Sequence, residues 1–445
     1  MNRIRILLIL SVAAAFRLLG LANRVPSLDE MHYRYEMARA KEMIESGAFR
    51  NHSVRHAYGS APHGMLAPLM SLVTGRVALA ALAPILPRRD YGRDNFLSRL
   101  FPALCGVFLV GIGYLLARVL FSDSTAEWVA LLLALSPIQV NWSRSEYLDV
   151  AMTLFAALSF LFAMWPKLEA RRSSGRELAA LSGLCAGLAL ACKWSAIVLI
   201  PFPLAVLLLV QRGSGESSSR PQLLSGATFC LFAALASCWF LSLDSFRWAY
   251  SPPAGAPYGV PSFPRTPFAV VQGLSSIPLA ELQTQAVGFT LNWAGPLFPL
   301  LLAGLWLTQR PARSRTVEVV RSDRRKGTLP ILLASIPAFV LVQGGELNTW
   351  RAFYPVFVCL LASGHLFDRL DRRKRFRLGV MVAVTVIPFT LSYGLRVGPN
   401  LTSYFGSELR YSPQLPSEPP MRWVATPDGK EALIPTNFIF QRRGN

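Results

Sequence analysis

The feature that most limits this chain is the recurrence of uninterrupted apolar runs about twenty residues long. That is the length that crosses the hydrocarbon core of a bilayer as a helix. Runs of this kind cover about 4–22, 98–121, 126–142, 150–166, 178–192, 194–210, 223–243, 292–308, 329–343, 351–367 and 378–395. Inside a bilayer no water can satisfy backbone polar groups, so each run is expected to be helical. The fold class expected is an all-α polytopic membrane protein of about eleven transmembrane helices. Charged residues make up only 16% of the chain, against roughly 25% in soluble domains, too few to cover a water-facing surface of this size. Soluble enzymes, disordered chains and disulfide-rich secreted modules are thereby excluded. The six cysteines all lie in apolar stretches and none forms a CxxC pair, so they read as small buried hydrophobes. The first run continues through Phe16-Arg17-Leu18-Leu19 and reads as an uncleaved first helix.

The net charge of +20 is an orientation signal. Basic residues concentrate in Lys167–Glu177, Arg310–Lys326 and Asp368–Arg377, with Arg3 and Arg5 at the start and Arg212 and Arg220 mid-chain. Positive connections favour the cytoplasmic side. They share it only if the further apolar stretch 64–86, interrupted by Pro68, Arg76 and Pro84, does not cross. That stretch is therefore expected along or dipping into the outer interface. The N-terminus falls inside and the C-terminus outside. Trp142, Trp194, Trp293 and Trp350 then fall at outer helix ends, as interfacial aromatics. Residues 1–395 form the membrane domain, with outer loops at 23–97 and 244–291, and 396–445 is a short outer tail.

The residues with chemical potential gather at the outer ends of the spans. Asp29-Glu30 follows the first span. A carboxylate pair at a membrane surface suits proton abstraction or metal binding, and equally the acidic first turn of a helix over 31–46. Arg144, Glu146 and Asp149 crowd the connection between two apolar spans, where an ordinary capped turn with an Arg–Glu pair is the competing reading. Lys193 and Arg351 are outer-end cations, each suited to a phosphate or, for the lysine, to snorkelling. His56 and His63 lie in the first loop, where single histidines are more often structural.

These segments resemble the multi-span lipid-linked sugar transferases of the GT-C fold. The likeness is to the branch of the protein O-mannosyltransferases and the lipid A aminoarabinose transferases, glycosyltransferase families 39 and 83. Asp29-Glu30 resembles the family's first-loop acidic motif. Ala61-Pro62-His63-Gly64-Met65-Leu66 resembles its histidine/proline motif with the proline pair broken. Arg99-Leu-Phe-Pro-Ala-Leu-Cys-Gly and Tyr114–Phe121 resemble its second span. Ala134-Leu-Ser-Pro137 through Asp149 resembles its third span and acidic loop. Gly187–Lys193 resembles the fifth-to-sixth span turn, and Arg351-Ala-Phe-Tyr354-Pro355 a late Arg-Tyr-Pro motif.

The resemblance implies a GT-C bundle with juxtamembrane helices in the first outer loop. It implies an inverting transfer of a hexose or pentose from a polyprenyl-phosphate donor to a hydroxyl acceptor on the extracytoplasmic face. Asp29 and Glu30 are the expected catalytic acids. Glu146, Asp149, Arg144 and His63 would position acceptor or sugar, and Lys193, Arg351 and Tyr354 would bind the lipid phosphate. If a divalent metal takes part, Asp29, Glu30 and Asp149 are its expected ligands; no other cofactor and no nucleic-acid partner is expected. A bacterial inner membrane is the expected location. The competing class is a transporter or flippase, which usually carries ionisable residues near the bilayer midplane. Here the acids sit at the ends of spans. A non-catalytic assembly partner is a third reading.

Overall fold

The computed structural model describes residues 3–21, 66–82, 91–165, 175–212, 219–238, 318–342, 352–390, 421–425 and 431–435, together with helical positions 30, 33, 34, 37, 40, 41, 44 and 45. The expected run at 292–308 and the outer loop 244–291 lie outside the described residues.

In chain order the helices are α1 (Arg3–Leu18), α2 (Leu66–Leu82), α3 (Tyr91–Leu120), α4 (Asp123–Leu135), α5 (Pro137–Ser143), α6 (Leu148–Met164) and α7 (Gly175–Cys192). A 3₁₀ helix (Trp194–Leu199) follows, then α8 (Pro201–Arg212), α9 (Ser219–Cys238), α10 (Glu318–Val342), α11 (Phe353–Arg369) and α12 (Arg372–Phe389). The tail contributes β1 (Met421–Ala425) and β2 (Glu431–Pro435), an antiparallel pair with Trp423 opposite Leu433. This hairpin is the one pair of strands among the described residues.

Each apolar run other than 292–308 overlaps a described helix. The protein is an integral, multi-pass membrane protein, although among the described residues only α7 and residues Asn95–Leu120 of α3 are singly long and apolar enough to cross, joined by α5 and α6 if that bent pair counts as one span. Helix α6 is apolar all round and almost wholly buried, the mark of a helix enclosed by others. It packs on α7 and α3, and α7 packs on α9. Large apolar side chains are left exposed on α1 (Ile4, Leu7), α9 (Leu223, Leu231) and α12 (Val384), as lipid-facing surfaces require. Helix α2 has 17 residues, about 25 Å at 1.5 Å per residue, short of the ~30 Å hydrocarbon core.

The α7–α9 contact depends on two glycines four residues apart. A Cβ on Gly183 would lie 2.2 Å from the Phe229 carbonyl oxygen, and one on Gly187 2.3 Å from that of Ala233. This is the small-xxx-small spacing that lets membrane helices approach closely. Gly183→Val or Gly187→Val should cost about 1–3 kcal/mol by forcing the backbones apart. A thermal-unfolding midpoint equal to that of the native chain would refute this packing. Between α6 and α7, Ser159 and Ser182 each donate a hydroxyl to the other's backbone carbonyl at 2.8 Å.

The run expected as one span at 126–142 is broken between α4 and α5. Pro137 has no N–H, so the Leu133 carbonyl loses its helical partner. The buried Arg17 guanidinium takes its place, donating to Leu133 at 3.1 Å and to Ala134 at 3.2 Å. The Thr390 hydroxyl donates to the Leu135 carbonyl. The orphan carbonyls of the broken helix are thus capped, and a cation sits at its negative end.

The helices run between two ends of the bundle. At one, Arg5 meets Glu127 at 3.2 Å, and Asp368 at the close of α11 accepts from Ser122 and Thr125 at the start of α4. At the other, α1 and α4 finish and α11 begins, with Gln139 of α5 donating to the Phe353 carbonyl at 2.9 Å.

Candidate active site

The polar residues singled out by sequence converge at the second of these ends. Helix α1 closes on Gly20, whose φ of 66° is left-handed, a conformation natural to glycine at a helix C-terminus. The absence of a side chain also admits Arg144, whose Nη2 donates to the Leu19 carbonyl at 2.6 Å. The turn 144–147 is thereby tied to the end of the first helix. Helices α5 and α6 meet across it at 116°.

Beyond Gly20, the described positions Glu30, Tyr33, Arg34, Met37, Ala40 and Lys41 are helical and buried. Their three-and-four spacing is that of one helix face, as the reading of 31–46 predicts. Glu30 is wholly buried. Its Oε1 accepts from Arg99 Nε at 3.0 Å and from the backbone N–H of Glu146 at 3.3 Å. Arg99 also donates to the Leu21 carbonyl at 3.1 Å. Arg34 forks onto Glu146, with Nε at 2.8 Å and Nη2 at 2.6 Å from Oε1. Asn95 accepts from the same Nη2 at 2.5 Å, and the Ser98 hydroxyl donates to Glu146 at 2.5 Å. Two carboxylates and two guanidiniums thus form a buried, charge-balanced cluster, in which Arg99 also stands 3.8 Å from Glu146. It joins the first loop, α3 and the 144–147 turn.

A second pair lies on the neighbouring elements. Asp149, in the first turn of α6, accepts from Lys193 Nζ at 2.8 and 2.9 Å through its two oxygens. Both residues are buried. Lys193 is extended, with φ −154° and ψ 125°. It marks the tight turn that the sequence predicts between α7 and the 3₁₀ helix. The helix N-terminus favours the Asp149 carboxylate, and the ammonium balances it.

Tyr354, near the start of α11, is buried. Its hydroxyl shares a 2.6 Å hydrogen bond with Ser335 of α10, and its ring packs on Phe339. Trp142, expected at the membrane interface, is instead 2% exposed and packs edge-on against Tyr147. Asp29, His63 and Arg351 lie outside the described residues. Among the described residues no group of three or more His, Cys, Asp or Glu converges as a metal site.

Sequence reasoning separated residues that the fold pairs, Asp149 with Lys193, and it missed Arg34, Asn95 and Ser98 altogether. Arg34 stands four residues after Glu30, on the same helix face. Arg99 is a cation opening an apolar span, which by default marks a site. Those two signals were available. The joining of Arg34 to Glu146 across the chain was not.

Residues 91–240, which hold Asn95, Ser98, Arg99, Arg144, Glu146, Asp149 and Lys193, match the family described as dolichyl-phosphate-mannose-protein mannosyltransferase. No curated protein sequence matches the chain. Among solved structures, ArnT from Cupriavidus metallidurans bound to undecaprenyl phosphate is similar at 19% identity, with a TM-score of 0.53 over 90% of this chain and 67% of that one. The apo ArnT structure gives 18% identity and a TM-score of 0.50 over 85% and 62%. An oligosaccharyltransferase from Archaeoglobus fulgidus, in complex with zinc and sulfate, gives 14% identity and 0.47 over 94% and 59%. The chain spans about three-fifths of the length of these relatives. Over 91–240 the chain carries the pattern of the dolichyl-phosphate-mannose-protein mannosyltransferase family, and it has the fold of the ArnT structures.

Proposed function

We propose that the protein is a membrane glycosyltransferase. It moves a hexose or pentose from a polyprenyl-phosphate donor to a hydroxyl acceptor on a glycolipid, polysaccharide or protein. Transfer takes place on the extracytoplasmic face, in a bacterial inner membrane. The observation that carries this reading is the buried Glu30–Arg99 and Arg34–Glu146 cluster. It anchors the first loop, directly after Asp29, against the turn that leads into Asp149. Support also comes from the ArnT structure bound to undecaprenyl phosphate, whose fold the chain shares.

In this mechanism Asp29 takes the proton of the acceptor hydroxyl, whose oxygen attacks the anomeric carbon with inversion. The bond to the lipid phosphate breaks. The leaving group departs as a stable anion, so no strong general acid is required. Arg351, which directly precedes the described start of the α11 segment, supplies preorganised positive charge to the phosphate. Arg144 and Lys193 are further cations at this end of the bundle. Lys193 is held by Asp149 and reaches a phosphate only by exchanging that partner. The test is transfer of labelled sugar from synthetic polyprenyl-phosphate sugars by the purified protein in detergent. Sugar incorporation that Arg351→Ala strongly reduces is expected. Absence of transfer from a full panel of donors to extracted envelope acceptors would overturn the reading.

A further inference from the structure

The opposite end of the bundle holds a second feature, which the sugar-transfer reading does not use. A cleft of about 950 Å³ opens between α1, α4 and α12. Arg5, Arg373, Arg375 and Arg377 line it, and Glu127 is also present, held by Arg5 at 3.2 Å. Asp368 and Asp371 lie close enough to act on Arg375, which leaves Arg373 and Arg377 as the remaining exposed guanidiniums of the cleft. Arg375 is half-buried and donates to Ser122 and to the Leu370 carbonyl; its Nε has no hydrogen-bond partner among the described residues. The floor is aromatic. Trp128 stacks on Phe367 and meets Phe376 edge-on. A Cβ on Gly379 would lie 2.2 Å from the Trp128 ring, so the glycine makes room for that floor. Helices α4 and α12 both begin at this end, and each N-terminus is already capped, by Ser122 and by the Asp371 carboxylate, so the attraction of the cleft for an anion comes from its guanidiniums.

We infer that this cleft binds the phosphate headgroup of an anionic glycerophospholipid from the membrane leaflet at that end. Basic pockets between membrane helices are suited to such headgroups. A lipid, rather than a soluble phosphate, is indicated by the walls. Leu8 and Phe376 line the cleft and are exposed, and away from this end of the bundle their helix faces continue into exposed Val12 and Leu19 on one side and Val380 and Val384 on the other. Two apolar tracks leave one basic cleft, which matches two acyl chains on one phosphate. The inference is independent of the proposed sugar transfer.

The experiment is a titration of the detergent-solubilised full chain with phosphatidylglycerol, read by native mass spectrometry, with phosphatidylcholine as the neutral counterpart. Preferential retention of phosphatidylglycerol is expected. Arg373→Gln/Arg377→Gln changes two exposed cleft residues and leaves the bonds of Arg375 in place. At about 1 kcal/mol per basic residue near a charged surface, it should weaken binding on the order of 30-fold. Its unfolding midpoint in neutral lipid should stay unchanged. Arg324→Gln/Arg325→Gln, in another basic stretch, should leave binding intact. Equal loss in both double variants, equal retention of the two lipids, or displacement by inorganic phosphate or undecaprenyl phosphate at matched concentration would each overturn the inference.

Discussion

Asp29→Asn should lower the rate of sugar transfer about 10²–10⁴-fold, the usual contribution of a positioned general base, without lowering the thermal-unfolding midpoint. In the proposed mechanism Asp29 and Glu30 divide their work. Glu30 is fully buried and is committed to Arg99 and to the Glu146 backbone. It anchors the loop rather than meeting a substrate, which leaves Asp29 as the acid for the acceptor. Glu30→Gln should show the opposite pattern, a lower unfolding midpoint that precedes any loss of turnover per folded molecule. The two variants are measured side by side, by single-turnover transfer and by thermal unfolding in the same detergent. Full activity in Asp29→Asn would remove the base assignment.

Arg34→Met should destabilise the fold by about 3–5 kcal/mol, the cost of leaving a buried charge without its partner. Against a typical total of roughly 5–15 kcal/mol, that is enough to empty much of the folded population. Glu146 would retain Ser98 at 2.5 Å and Arg99 at 3.8 Å, which places the expectation toward the lower figure. The double variant Arg34→Met/Glu146→Met removes both charges and should recover most of the loss, because buried pairs replaced by apolar groups are often nearly neutral. A double-mutant cycle on unfolding midpoints measures this. Additive losses would show that the two side chains do not act as a pair.

Much of the bundle is legible in the sequence because lipid imposes a single rule on each run. The limits at Lys193 and at the 144–147 turn are visible because charge interrupts apolar sequence there. The Pro137 break was equally visible in its chemistry, yet the surrounding apolar residues hid it within a run of spanning length. The tail hairpin flanks Thr426-Pro-Asp-Gly-Lys430, whose Pro, Asp and Gly are turn formers, so its signal was local and readable. The partner of Glu146 is a different matter. It lies 112 residues away, on a loop helix, and no periodicity within either segment encodes which cation closes on which acid. Lys193 and Asp149 each announced themselves as charges at span ends, but their 2.8 Å contact depends on how α6 and α7 pack.

The cap on the broken α4 has a consequence for how the chain is made. Arg17 emerges from the ribosome more than a hundred residues before the carbonyls that it will serve, being separated from Ala134 by 117 positions. During that interval Arg17 has the Ala13 carbonyl of its own helix, at 3.2 Å, but not yet the carbonyls of α4. The proline that interrupts one helix thus also frees the acceptor that ties another to it, across more than a hundred residues of sequence.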